Sequence, residues 1–242
     1  AERVAVAMSC SLVQRGALPL LPEAVRTRSA LTCGADLVFA LPAPCACAGA
    51  EAFARAGVAL LAAAGCDGLV FGAETPDAAL LMEAAELLDS GSYRAALKAQ
   101  LAGGARSFAA ARQAAAAQLA SDERVAALLD KPNNNLAVEY CRAIRSLAPR
   151  MEAYPLPRQG ADHGEALHSA HGQFASASAL RKLWAEGGAD AVAPYVPEAV
   201  FPLYQEAYAA GQYTDLAAAQ RYQLALLRSR CAGTAPFAQV RG

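Results

Sequence analysis

The sequence predicts an α/β protein: a Rossmann-like core with a parallel sheet, followed by a mostly helical C-terminal unit. Three observations predict it. Short apolar runs alternate with helical stretches in the order β-α-β-α-β, which in one sheet implies right-handed crossovers. The 242 residues are 55% hydrophobic but only 7% aromatic, the balance expected of alanine-rich helices packed on a Val/Leu sheet. Four polar segments each follow a buried apolar run: Met8–Gly16, Phe71-Gly72-Ala73-Glu74, Pro132-Asn133-Asn134-Asn135-Leu136 and Ser176-Ala177-Ser178-Ala179-Leu180-Arg181-Lys182. In an open parallel sheet that edge is where ligands bind.

Taken in order, residues 3–8 read as a buried strand. A helix over 22–33 has Pro22 in its first turn and Gly34 as its stop. A second strand, 36–41, is closed by Pro42. An apolar-periodic helix over 51–64 ends at Gly65, and a third strand, 68–71, ends at Gly72. Helices follow over 76–88, 93–101, 107–119 and 122–128, divided by Gly and Ser breaks. Another spans 134–147, with Leu136, Tyr140, Ile144 and Leu147 on one face. Residues 151–156 read as a strand and 159–174 as a polar loop. A helix over 176–186 is capped by Ser176 or Ser178. From 190 onward, segments 197–211 and 215–230 suggest a mostly helical second unit. Because a strand begins almost at residue 1 and the first residue is not Met, the expectation is that the natural protein carries preceding residues, about 30 of them for one strand–loop–helix unit.

Net charge is −1, but the signs are unevenly placed. Glu74, Asp77, Glu83, Glu86 and Asp89 form an acidic run. From 131 to 182, Lys131, Arg142, Arg145, Arg150, Arg158, Arg181 and Lys182 outnumber Glu139, Glu152, Asp162 and Glu165, so this half is suited to meet phosphates. The seven cysteines include no Cys-x-x-Cys pair and read as small buried hydrophobes of a reducing, cytoplasmic protein. His163, His168 and His171 fall in a Gly/Ser/Ala-rich stretch that reads as a loop, so no metal ligand is assigned. No apolar stretch is long enough to span a membrane, and Arg3 followed by a short apolar run does not read as a secretory signal.

Neither Gly-x-Gly-x-x-Gly nor Gly-x-x-x-x-Gly-Lys-Ser/Thr occurs, and no nucleophilic triad stands out. The hydroxyls of Ser176 and Ser178, followed by Arg181 at a helix opening, make an anion site suited to phosphate. A glycine at the end of a strand, Gly72, lets a nucleotide approach the backbone. The Asn133 amide both donates and accepts, and a guanidinium such as Arg158 stacks on a base or holds a phosphate. Taken singly, each has a plain structural alternative: a turn, a helix cap, a surface pair.

Several motifs occur together in one order: Met8–Gly16, Arg26-x-x-x-Ala30-Leu31, Gly34-Ala35-Asp36-Leu37-Val38, Leu41-Pro42, Phe53-Ala54-Arg55, Phe71-Gly72-x-Glu74, Pro132-Asn133-Asn134, Arg158, and Ala175-Ser176-Ala177-Ser178-x-x-Arg181-Lys182. This pattern resembles the bacterial tRNA(Met) cytidine acetate ligase family across nearly the whole chain. The resemblance implies a nucleotidyltransferase-like ATP-binding domain over 1–189 and the start of a helical tRNA-binding domain over 190–242. It implies a ligase that forms acetyl-adenylate from ATP and acetate and acetylates N4 of the wobble cytidine of elongator tRNA(Met), with ATP, acetate and that tRNA as partners and neither membrane nor DNA. Gly72, Asn133 and Arg158 match the family's ATP contacts, with Gln159 beside the arginine. Ser176, Ser178 and Arg181 match its phosphate segment. Mg2+ is compatible as a neutraliser of the triphosphate.

The chain also departs from the family. His-x-Gly-His, whose histidines stabilise the reacting phosphorus, occurs nowhere in it and is expected upstream of residue 1, so no catalytic residue is assigned and these 242 residues alone are expected to be inactive. The family's C-terminal region is also expected to extend further than this chain. Cys10 and Ser11 stand where Gly and Asn or His are usual, Glu23 where Lys is usual, and Ala40 where Glu is usual. Two alternatives therefore stay open: a related nucleotidyltransferase acting on another small acid, and a non-catalytic RNA- or nucleotide-binding protein.

Overall fold

The computed structural model describes residues 2–158 and 175–231. In chain order the elements begin with β1 (Ala5–Ser9), α1 (Glu23–Thr32), β2 (Leu37–Leu41), α2 (Ala43–Ala46), α3 (Ala50–Ala63) and β3 (Gly68–Ala73). There follow α4 (Ala78–Asp89), α5 (Gly91–Ala102), α6 (Phe108–Leu119), α7 (Glu123–Leu128), α8 (Pro132–Leu147), β4 (Glu152–Pro157), α9 (Ala177–Val192), α10 (Phe201–Ala209) and α11 (Leu216–Cys231). The chain divides into two compact units, Ala1–Ala17 with Gly34–Ala161, and Leu18–Cys33 with Asp162–Gly242.

In the first unit the four described strands pair in parallel, as expected, but as two separate pairs rather than one sheet. β1 pairs with β2 from Ala5 opposite Leu37 to Ser9 opposite Leu41. β3 pairs with β4 from Gly68 opposite Glu152 to Ala73 opposite Pro157. The core lies where α3, α4 and α8 pack on β3, around Val58, Leu69, Phe71, Leu81, Val138 and Ile144. Small residues let the helices approach: Ala84 and Ala85 of α4, Ala115 and Ala116 of α6, and Ala137 and Ala143 of α8 are all buried. The period of two in β3 buries Leu69, Phe71 and Ala73. Its other face is open, with Val70 62% exposed and, in β4, Leu156 54% exposed. The strands are therefore half-buried rather than covered on both faces.

Three further expectations change. The buried stripe of α8 is Asn134, Ala137, Val138, Cys141 and Ile144, while Leu147 is exposed. α8 packs between α3, α4 and the β3–β4 pair, so small residues rather than leucines face its neighbours. Among the described cysteines only Cys141 is buried and Cys33 is exposed; burial pushes the Cys141 thiol up to about 12. The acidic run and the basic stretch meet instead of forming separate fields. Arg142 Nε lies 2.8 Å from Asp89, and Arg145 Nη1 lies 3.4 Å from Glu86.

The second unit is helical where described. Trp184 of α9, 3% exposed, meets Tyr204, Tyr208 and Tyr213 edge-on, with ring centroids 6.2, 5.5 and 5.7 Å away. Leu21, Val25, Val192 and Ala207 complete this core. α9 thus packs with α1 and α10. Gly188, at φ +69 and ψ −155, is not helical, so α9 is two helical segments that meet at a kink there. A Cβ at Gly188 would stand 2.6 Å from the Tyr208 ring, so only glycine fits there.

Candidate nucleotide site

Pro132 opens α8 and has no N–H to leave unpaired. The residue before it, Lys131, provides no side-chain cap. The N–H groups of Asn133 and Asn134 are then donors without an intrahelical partner, at the positive end of a helix dipole. Glu74, just beyond the end of β3, meets them. Its Oε1 accepts from Asn133 N at 3.1 Å and from Asn133 Nδ2 at 2.6 Å, and its Oε2 accepts from Asn134 N at 2.6 Å. The buried Asn134 amide closes a reciprocal pair with Thr75. Thr75 N donates to its Oδ1 at 2.9 Å, and its Nδ2 donates to Thr75 Oγ1 at 3.1 Å. Asn135 turns back onto the carbonyls of Leu129 and Lys131 at 2.7 and 3.0 Å.

Burial works to raise the Glu74 pKa, but the hydrogen bonds from the Asn133 side chain and from the Asn133 and Asn134 backbone outweigh it and hold the carboxyl below its ordinary value. The group is an anion devoted to the helix start. It is not offered to a metal, and among the described residues no cluster of three or more His, Cys, Asp or Glu could hold one.

Arg158 follows β4 and extends the ladder by one bond, its N–H donating to Ala73 O at 3.0 Å. Its Nη1 donates to Asn133 Oδ1 at 3.2 Å. Gly72 lies opposite Leu156 on the open face. A Cβ on it would touch Arg158 Cγ at 3.4 Å, so the missing side chain leaves room beside the arginine stem. The structure therefore brings Gly72, Asn133 and Arg158 together at the C-terminal edge of the β3–β4 pair. Gly72 is within the strand rather than after it, and Asn133 sits in the first turn of α8 rather than capping it. The result is an exposed guanidinium, a half-buried amide and bare backbone on one surface. These suit a ligand with an anionic group and a planar ring.

Gln159 lies outside the described residues, as do the three histidines. Ser176, Ser178 and Arg181 belong to the second unit. Ser176 is the N-cap of α9, its Oγ accepting from Ala179 N at 3.2 Å. Ser178 is exposed in the first turn, and Arg181 is half-buried one turn on. Sequence reasoning missed the organising roles of Glu74, Thr75 and Asn134. The available signal was a Lys-Pro helix start with no capping side chain of its own, which requires an acceptor from elsewhere.

A family model described as HIGH Nucleotidyl Transferase matches residues 1–234. The chain belongs to that family. Among curated relatives, the tRNA(Met) cytidine acetate ligase of Syntrophotalea carbinolica is 40% identical over 189 residues, 77% of this chain and 45% of that protein. The one from Caldanaerobacter subterraneus subsp. tengcongensis is 34% identical over 214 residues, 87% of this chain and 53% of that protein. The chain thus spans about half the length of the curated relatives it matches. Among solved structures, apo Thermotoga maritima TmcAL superposes with a TM-score of 0.80 at 29% identity, covering 88% of this chain and 51% of that one. The same protein bound with alpha-thio ATP gives 0.78 at 28% identity, covering 88% and 50%. The nucleotidyl transferase fold expected from the motifs is therefore the fold of this family member.

Proposed function

We propose that this chain is the nucleotide-handling part of a tRNA(Met) cytidine acetate ligase, and that ATP binds on the Gly72–Asn133–Arg158 surface. The observation that carries the reading is the Arg158–Asn133 contact beside bare Gly72 backbone, in a fold shared with a protein solved with an ATP analogue. Arg158 holds a phosphate or stacks on adenine, the Asn133 amide reads the ribose or a base edge, and Gly72 admits the nucleotide to the strand. Ser178 and Arg181, at the opening of α9 in the second unit, are by themselves donors suited to phosphate. In the reaction, an acetate oxygen bonds to the α-phosphorus as pyrophosphate leaves. The cytidine N4 then bonds to the acyl carbon as AMP leaves and a proton passes to solvent. Magnesium would travel with the triphosphate, since the acidic residue of the site is committed to α8, and no step here is assigned to it. A cytoplasmic location follows from a tRNA substrate; among the described residues no helix is long and apolar enough to cross a membrane.

Arg158→Ala is expected to weaken ATP binding by about 1.5–3 kcal/mol, and Asn133→Ala by about 1 kcal/mol. Calorimetry with unchanged affinity in both variants would refute the site. Pyrophosphate exchange by the complete protein against a panel of small acids separates acetate from other substrates. No exchange with any acid would leave the non-catalytic alternative.

The tRNA part of the reading rests on α11. Arg221 and Arg228 are two turns apart and exposed, with exposed Tyr222 beside them. Such a face tracks a phosphate backbone and offers a ring to a base. Arg221→Glu with Arg228→Glu in the complete enzyme is expected to lower tRNA affinity and to flatten its salt dependence by about one to two units, with acetyl-adenylate formation untouched. Loss of adenylate formation in that variant would remove the assignment.

A further inference from the structure

The first unit contains a second concavity that shares no residue with the Gly72–Asn133–Arg158 cluster. It is an open cavity of about 560 Å³ framed by the first turn of α3, the end of α4, α5, α6 and α8. Its floor is a set of ion pairs. Glu139, 3% exposed, accepts from Arg112 Nη2 at 2.6 Å and from Arg142 Nη1 at 2.7 Å, and Arg142 Nε also reaches Asp89 at 2.8 Å. Two guanidinium groups are thereby balanced by two carboxylates and held rigidly.

The walls are not balanced. Arg55, from the Phe53-Ala54-Arg55 motif that the nucleotide surface does not use, donates only to the neutral Ser146 Oγ, at 3.2 Å, among the described residues. The Arg94 side chain is exposed and has no partner among the described residues. Against these two cations stands Glu51, whose ion pair among the described residues is with Arg142 at 3.9 Å. The cavity therefore carries one net positive charge. Gly49 gives α3 no side-chain cap, so the first-turn N–H groups that line the cavity remain available to an anion. Phe108, 61% exposed, adds an aromatic face, and Leu88 and Leu97 add apolar wall.

One net positive charge matches a phosphodiester, which carries a single negative charge, better than a triphosphate, whose extra charge would face Glu51 and Asp89. We infer that this cavity takes one nucleotide of an RNA strand, its phosphate on Arg55, Arg94 and the first turn of α3, and its base against Phe108. The inference rests on the reading of an RNA substrate and adds to it a contact in the first unit, independent of α11.

The test is fluorescence anisotropy of the full chain with a labelled anticodon stem-loop of elongator tRNA(Met) and with a labelled single-stranded oligouridylate, over a range of salt. Arg55→Glu with Arg94→Glu should weaken binding at least about tenfold and flatten the salt dependence by about one to two units. Phe108→Ala should weaken it about fivefold or more with the salt dependence unchanged. Both changes are on exposed side chains, and ATP affinity by calorimetry should stay at the parent value in each. Arg150→Glu, an exposed base outside the cavity, should bind RNA as the parent chain does. Unchanged RNA affinity in both cavity variants overturns the inference while leaving the ATP site and α11 standing. Displacement of RNA by free AMP from the parent chain but not from Arg158→Ala also overturns it, since the RNA would then occupy the nucleotide surface. A parent chain that binds neither RNA overturns it without touching the ATP reading, which Arg158→Ala tests separately.

Discussion

Replacing Glu139 with alanine is expected to lower the unfolding free energy by about 3–5 kcal/mol, measured by urea denaturation. The residue is 3% exposed and holds Arg112 and Arg142 at 2.6 and 2.7 Å, while those two side chains are only 17% and 24% exposed. Truncation leaves two guanidinium groups side by side in a half-dry setting, with Asp89 at 2.8 Å and Glu51 at 3.9 Å from Arg142 to answer them. The cost arises from the charges left behind rather than from the net worth of the pairs. A triple change, Arg112→Met, Glu139→Leu and Arg142→Met, should therefore be far milder than the single alanine. A single-variant loss under about 1 kcal/mol would show that water reaches Glu139 freely.

Glu74→Ala is expected to cost about 2–4 kcal/mol, as hydrogen bonds to a carboxylate and a favourable helix-dipole contact are lost together. Asn133 loses two of its bonds in that variant, so its Oδ1 no longer holds Arg158 in place and ATP affinity should fall as well. Glu74→Gln keeps one acceptor oxygen and should lose roughly half as much stability. The dependence on pH follows from the depressed pKa. The stabilisation is present above the unfolded-state value and is lost as pH falls through the folded one, so the parent chain should lose more stability than Glu74→Gln between about pH 5 and pH 3. Parallel pH curves for the two chains would mean that Glu74 is not charged at the helix start.

The helices were legible where their signals are local. Asp77, Ser90, Ser107, Asp122 and Ser176 each accept a hydrogen bond from the first turn they cap, and most of those starts fall within two residues of the sequence expectation. α8 begins at Pro132, two residues before its expected start, because its acceptor is Glu74, far back in the chain. Strand pairing is equally non-local. Runs such as Gly68–Phe71 and Met151–Leu156 mark strands, but nothing in them says that β3 and β4 pair apart from β1 and β2, or leave Val70 and Leu156 open. α2 spans four residues and is too short for a periodic pattern. Of the candidate site, Gly72, Asn133 and Arg158 were readable only through the joint pattern of motifs. The cavity over Glu139 was not readable at all, because its arginines come from four separate helices.

The bonds between Thr75 and Asn134 join residues 59 apart in sequence. Everything from α4 to α7 is therefore a loop in the topological sense, tied off at its neck by a hydrogen-bonded knot. The entropy of closing such a loop grows only with the logarithm of its length, about 0.6 kcal/mol for a doubling. Residues can be inserted or removed at the turn between α5 and α6 while the knot holds the end of β3 and the start of α8 at constant spacing. That turn is the natural point at which to graft a reporter or a second domain onto this fold.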